Sequence, residues 1–502
     1  MNITQIKGKI ESKLSVIVFM LLVLQPILDV FSFFLSKDNP SAITTLLRFV
    51  LLFLVAFLGF LLSDNKKVYF IVYGILSVFW FLHVLNCFRI GYISFFSDTA
   101  NFLRIVSLQI YTLSLITFFK KGKNIRKSIC WGFTASFILV VVFTAIPWLI
   151  GRPEYTYDNI GVGISGWFSV KSAQSAIIGL LVPISILFAY KTKKYYLYIA
   201  ALAATMALLF FSGTKLTFYC IFLICAGFTV LFAYNLKFKS IKYIVPLFLV
   251  VITVFVFKSK SPMYERNELI KISQGNYQLL VSDSVQGAQE DDSDESLRKK
   301  NIPYLRTEMK KKKIFGVYSD DAVYGTVYKD INYRFGLYNV MKVYDYTIDT
   351  SILSDSRDRK LFFARLVWNE KDFITKLLGY EYIEMVCANS NYDLENDFPA
   401  VFYFTGYLGF ALYMSLFGYV FFAVVRAFWR NKKKFLTVEM GAILMTFVLA
   451  LGAAQISGNV LRRPNVTIYF ALVAAYLYHL TVNKLPPKLP KKQKAETTED
   501  LN

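Results

Sequence analysis

Residues 14–35 read LSVIVFMLLVLQPILDVFSFFL, with Asp29 as the single ionisable group. A helix rises about 1.5 Å per residue, so about 20 apolar residues cover the roughly 30 Å of a bilayer's hydrocarbon. The stretch therefore reads as a membrane span. It is long, lacks a small-residue cleavage site and leads straight into further apolar sequence, so it is not read as a cleaved leader.

Outward from it, the same pattern recurs. Apolar runs centre on 43–63, 68–88, 98–119, 129–150, 172–190, 195–212, 216–235, 243–257, 398–425, 436–457 and 464–482. Asn101 and Arg104 interrupt the fourth span, and the ninth is short. Over the 502 residues, apolar types make up 56% and charged types 18%, against about 25% charged in soluble domains. The expected fold is an all-α polytopic membrane protein with about twelve transmembrane helices.

Lys and Arg total 56 against 34 Asp and Glu, an excess of 22 positive charges. In a soluble chain that would suggest nucleic acid. Here the positive-inside rule accounts for it, and no nucleic-acid partner is expected. Lysines 7, 9 and 13 precede the first span. Alternate connections then carry Lys66 and Lys67, the 120–127 cluster, Lys191 to Lys194, Lys237 to Lys242, and Arg426 to Lys434, and the tail from 483 is again basic. This places both termini in the cytoplasm of a cell-membrane protein. Membrane helices occupy 1–257 and 398–482, and 483–502 is a cytoplasmic tail.

The polar segment 258–397 then forms one large extracellular loop between helices 9 and 10. Gln286–Ser296 (QGAQEDDSDES) reads as solvated or disordered, and Lys310 to Lys313 as a solvated face. Near 355–378 the sequence predicts one amphipathic helix, capped by Ser354 or Ser356 and presenting Leu361, Ala364, Trp368, Phe373 and Leu377. The five cysteines show no disulfide framework or CxxC pair, and the two histidines leave no His-rich metal site.

Ionisable residues at membrane depth mark cavities or partners. Asp29 pairs with Arg48 or Arg104, or meets a ligand directly. Arg152 follows the fifth span. Gly161–Ser175 (GVGISGWFSVKSAQS) is irregular and apolar enough to dip into the membrane beside a cavity, with Lys171 near its end. Lys215, in SGTK, either snorkels to the interface or points into a cavity. Arg462 and Arg463 lie on the side where positive charge is unexpected, and Arg357 and Arg359 add to the same surface. Together these residues form a candidate basic, partly dehydrated site whose best-fitting anion is the diphosphate of a lipid carrier. Glu395 and Asp397, just before the tenth span, are candidate general bases, since desolvation raises a carboxylate pKa. The same stretch also fits plain helix capping.

QPILD (25–29), LLRF (46–49), GISGWFS (163–169), SGTK (212–215), SDSRDRKL (354–361), ENDF (395–398) with TGYLGF (405–410), and GNVLRRP (458–464) occur in an order that resembles the O-antigen ligase and polysaccharide polymerase family of Gram-positive type. The resemblance implies a metal-independent membrane glycosyltransferase without cofactors, acting on the outer face. Its donor would be an undecaprenyl diphosphate-linked oligosaccharide and its acceptor a glycan hydroxyl. The product would be a cell-surface polysaccharide, with a chain-length regulator or a flippase as a possible partner. It carries over Arg152, Lys215 and Arg462 or Arg463 as diphosphate-binding and Glu395 or Asp397 as catalytic, leaving Asp29, Arg48, Lys171, Arg357 and Asn459 as cavity or acceptor candidates. Related sequences often have His at the position of Asn459, and an amide is no base near neutral pH. The rival readings are a twelve-span lipid-linked glycan flippase or transporter, which the lack of an internal repeat disfavours, and a sensor or scaffold.

Overall fold

Each apolar run folds as a helix. The computed structural model describes residues 3–35, 41–272, 275, 330–345, 349–353, 355–388, 390–458 and 460–482. Gln286–Ser296, Lys310 to Lys313, Ser354, Asn459 and the tail from 483 lie outside the described residues. The helices are α1 Ile3–Leu35, α2 Ser41–Leu62, α3 Lys66–Ile90, α4 Phe95–Lys121, α5 Ile125–Leu149, α6 Lys171–Lys191, α7 Tyr195–Phe211, α8 Lys215–Leu236 and α9 Ile241–Val256. After the polar segment's α10 Leu337–Val343, α11 Ser356–Glu370 and α12 Phe373–Leu378 come α13 Asp397–Arg430, α14 Val438–Ile456 and α15 Pro464–Thr481.

Among the described residues nine stretches are long and apolar enough to cross a membrane, and one of them, Lys215–Val256, contains both α8 and α9. This is a multi-pass, all-α membrane protein. Helices α7, α9 and α15 have only 17, 16 and 18 residues, so each spans about 24–27 Å, short of a full hydrocarbon core.

Helices α6 and α15 are buried on nearly every face, as expected of helices apolar all round. Helices α2, α3 and α9 present Phe53, Phe57, Phe70, Phe81, Phe248 and Phe255 outward, the exposed apolar surface that hydrocarbon covers. Ion pairs and hydrogen bonds mark the two ends of the bundle. At one end, Lys121 meets Asp64 and Glu11, Arg126 meets His479 (3.1 Å), and Lys191 meets Glu439 (2.8 Å). At the other end, Asp29 of α1 takes Arg48 of α2 at 2.6 Å and Asn465 of α15 at 3.0 Å. Arg48, not Arg104, is therefore the partner of Asp29.

Removing one member of a buried ion pair costs about 3–5 kcal/mol, because the other charge is left desolvated and alone. Asp29→Ala should lower thermal stability in detergent by that amount, and the double variant Asp29→Leu/Arg48→Met should recover most of it. Additive losses would show that the pair is not coupled.

The expected single helix at 355–378 is two helices meeting at Lys371 and Asp372. Asp355 caps α11, accepting from Arg357 N at 2.7 Å, and Asp372 caps α12, accepting from Thr375 N at 3.0 Å. Ser356 sits inside the first turn instead. The break changes the exposed face. Trp368 packs on Phe402 (5.0 Å between rings), but Phe373 is 74% exposed. Short α12 docks on α3 through Arg89–Asp372 (2.6 Å) and Asn86–Thr375 (3.2 Å). Its end abuts a break in α13 at Gly406 (φ 64°, ψ −171°), where backbone meets backbone; a Cβ there would lie 2.5 Å from Gly379 N. Glu381 then accepts from Ile93 N and Ser94 N, both at 2.9 Å. These contacts hold the polar segment over α3 and α4.

Candidate active site

The site is built around the α14–α15 connection, residues 457–463. Gly458, at φ +71°, follows the end of α14 with its N–H on Ala453 O (2.7 Å), and Pro464 opens α15 at a position that needs no N–H. Asp397, in the first turn of α13, ties this turn down: its Oδ2 accepts from Val460 N (2.7 Å) and Leu461 N (3.1 Å). Thr467 Oγ1 donates to the Arg463 carbonyl from the other side (2.9 Å). The residue in the capping position of α13 is Asn396, and its side chain makes no cap hydrogen bond. Asp397 thus serves the turn rather than its own helix.

The turn presents two arginines. Arg462 is 8% exposed and points at the acidic stretch before α13: Nη1 to Asp393 Oδ1 at 2.9 Å, Nη2 to the Leu394 carbonyl, and Nε 3.7 Å from Asp397 Oδ1. Burial pushes its pKa down, but Asp393 and Asp397 outweigh that and leave it raised. Arg463 faces Arg104 of α4. Burial, then the like charges of Arg104 and Arg462, hold Arg463 below the usual arginine value. The guanidinium of Arg104 makes no hydrogen bond or ion pair among the described residues.

Around these groups lies a cavity of about 550 Å³. Its cations are Arg104, Lys360, Arg462 and Arg463; its carboxylates are Asp393, Glu395 and Asp397; Ser172, Tyr382 and Asn391 complete the polar wall. A second cavity of about 70 Å³ adjoins it and shares Arg104 and Arg463 as lining. Asp29, Arg48, Ser32, Thr44, Thr45, Gln174 and Asn465 line that smaller space, together with Phe168, Ser169 and Val170 from the irregular stretch before α6.

Glu395 is held by two cations of α11: Lys360 Nζ on Oε1 and Arg357 Nε on Oε2, both at 2.8 Å. Burial raises the Glu395 pKa, but the two partners outweigh it and bring the carboxyl below its ordinary value. A group with a depressed folded pKa contributes stability above its unfolded pKa and loses it as pH falls through the folded one. Lys360→Gln should therefore lower thermal stability at pH values above the ordinary carboxylate range, and the deficit should narrow as pH falls through it. Superimposable melting-versus-pH curves for the two proteins would contradict this.

The remaining candidates lie elsewhere. Arg152 and Lys215 are exposed and line neither cavity. Lys171 pairs with Asp158 and donates to the Tyr155 carbonyl, while its neighbour Ser172 reaches the cavity. Arg357 reaches the Ile456 carbonyl (3.1 Å) as well as Glu395. Asn459 falls outside the described residues. Arg104, Lys360, Tyr382, Asn391, Asp393 and Leu394 line the larger cavity although sequence reasoning did not place them there. Arg104 did carry a signal: it interrupts an apolar run.

A family model described as O-antigen ligase like membrane protein matches residues 11–482. No curated protein and no solved structure matches the chain. The matched region runs from within α1 through α15 and includes every residue lining the cavity, and the chain belongs to the O-antigen ligase like membrane protein family.

Proposed function

We propose that the protein transfers glycan from a polyprenyl diphosphate, of the undecaprenyl type, to a sugar hydroxyl. In this reading the cavity faces the outside of the cell and both termini are cytoplasmic. The observation that carries it is the pairing of Arg104 with Arg463 at the junction of two cavities. Two neighbouring guanidinium groups, that of Arg104 making no hydrogen bond or ion pair among the described residues, suit a doubly charged anion. Family membership points to a lipid-linked glycan as its source.

The donor diphosphate would rest against Arg104, Arg463 and Lys360, with Arg462 holding the acidic wall in place. The acceptor oxygen attacks the anomeric carbon, the anomeric carbon–oxygen bond to the diphosphate breaks, and the hydroxyl proton passes to a carboxylate. Glu395 is better placed for this than Asp397, which is fully buried and whose Oδ2 already accepts two backbone N–H groups. Diphosphate binding would draw Lys360 away from Glu395 and raise its basicity. Fixed cations in a half-dry site stabilise the charge that develops on the leaving group. Arg152 and Lys215, exposed outside the cavities, suit contact with lipid headgroups.

The deciding experiment uses purified protein and lipid-linked oligosaccharide in detergent. Formation of longer glycan, or of a new glycan–acceptor bond, with release of polyprenyl diphosphate is expected. Movement of donor across sealed vesicles without any new glycosidic bond would replace this reading with the flippase one.

A further inference from the structure

Few histidines and cysteines are available in this chain, yet the ends of α3 and α4 bring one of each together with a carboxylate. His83 and Cys87 lie four residues apart on α3, which puts them on one helix face. Asp98, in the first turn of α4, closes the group. His83 Nε2 is 3.0 Å from Asp98 Oδ2 and 3.5 Å from Cys87 Sγ. One donor atom from each of the three lies within 4.8 Å of the others. All three residues are buried.

The surroundings orient the ring. His83 Nδ1 is 2.8 Å from the Leu378 carbonyl. A carbonyl only accepts, so Nδ1 carries a hydrogen and Nε2 is the atom turned toward the sulfur and the carboxylate. Metal-ligating imidazoles are commonly held this way, by a carbonyl on the far nitrogen. Asp98 is also braced: Oδ1 accepts from Tyr382 N (3.2 Å) and Oδ2 from the Tyr92 hydroxyl (2.7 Å). Around a tetrahedral zinc, with Zn–N about 2.0 Å and Zn–S about 2.3 Å, nitrogen and sulfur stand about 3.5 Å apart and nitrogen and oxygen about 3.3 Å. The two separations from His83 Nε2 lie within about 0.3 Å of that frame, and the sulfur and the carboxylate, within 4.8 Å of each other, can close on an ion by side-chain rotation.

We propose that His83, Cys87 and Asp98 form a binding site for one divalent zinc-class ion, with the Tyr92 hydroxyl or a water as fourth ligand. A thiolate, an imidazole and a carboxylate favour zinc over the hard cations magnesium and calcium. On binding, the Cys87 thiol loses its proton and the sulfur electron pair goes to the metal. The ion is structural. It clips α3 to α4 beneath the polar segment, and through Leu378 and Tyr382 it sets the position of Tyr382 in the cavity wall. The competing occupant is a proton, held between His83 and Asp98.

The test uses full-length protein purified in detergent in metal-free buffer. Mass spectrometry of metal content should find one zinc per chain, lost in His83→Gln and Cys87→Ser and retained in Cys130→Ser, whose buried thiol lies outside the cluster. Cobalt exchanged into the wild-type protein should give a thiolate-to-metal charge-transfer band. That spectrum decides the matter even if the variants fold poorly. Wild-type protein with no bound zinc and no such band after cobalt exchange would show that the site holds only a proton, and the proposal would fall.

Discussion

Arg463→Ala and Arg104→Ala should each cut glycan transfer by about 100-fold or more while leaving a folded, monodisperse protein. The magnitude follows from their position. Each guanidinium sits at the boundary between the two cavities, where the charge of a departing diphosphate would be concentrated. Removing one donor from such a preorganised site commonly costs a factor of about 10²–10³ in rate. Folding should survive because the two like charges repel each other, and Arg104 gives up no hydrogen bond or ion pair among the described residues. Lysine should rescue only in part, since an ammonium brings charge without the planar fork. Arg462→Ala should behave differently. It strips Asp393, Asp397 and the Leu394 carbonyl of their partner and should lower thermal stability along with activity. The measurement is glycan formed per unit time with a lipid-linked donor, beside a melting curve for each variant. Unchanged rates for both Arg104→Ala and Arg463→Ala would remove the diphosphate from this cavity.

Gly458→Ala should be nearly as damaging, for a mechanical reason. A Cβ at this position would lie 1.6 Å from the Glu395 carbonyl oxygen and 2.5 Å from its carbon, and the backbone is at φ +71°. Left-handed backbone at a residue with a side chain costs about 1–3 kcal/mol. The clash is with main chain, which no rotamer change relieves. The 457–463 turn or the Glu395–Asp397 stretch must therefore shift, and with it the Arg462 clamp and the two N–H bonds to Asp397. The expected result is a large drop in activity together with a lower melting temperature. Gly452→Ala is the control. It lies within α14 with nothing within 4 Å of the added carbon, so replacing a helical glycine should be neutral or slightly stabilising, by about 0.5–1 kcal/mol at most. Equal behaviour of the two variants would mean that the turn does not depend on this close approach.

Apolar helices are legible because their signal is local: every residue in a run reports on the same lipid or core environment. Hence α1 through α9 and α13 through α15 all fall on stretches visible in the sequence. The clustering of Lys and Arg was equally local, and Lys121, Arg126 and Lys191 do share one end of the bundle. Less was legible in the polar segment, where caps compete over one or two residues. Asp355 and Asp372 took those positions and split one expected helix into two.

By itself, then, the sequence determined that this chain is a bundle of membrane helices, that Arg462, Arg463, Glu395 and Asp397 lie at helix ends, and that charge within its apolar runs needs partners. Only the tertiary structure decided which charges meet. Asp29 took Arg48 because α1 lies against α2, and Arg104 reached Arg463 because α4 packs along α15. Lys360 and Asp393 entered the cavity because the polar segment folds back over α3 and α4. Arg152 and Lys215, no less conspicuous as letters, were left outside. Burying an apolar face constrains each helix through its own composition, whereas the convergence of charges depends on the rotation and register of helices distant in sequence, set by the packing of the whole bundle.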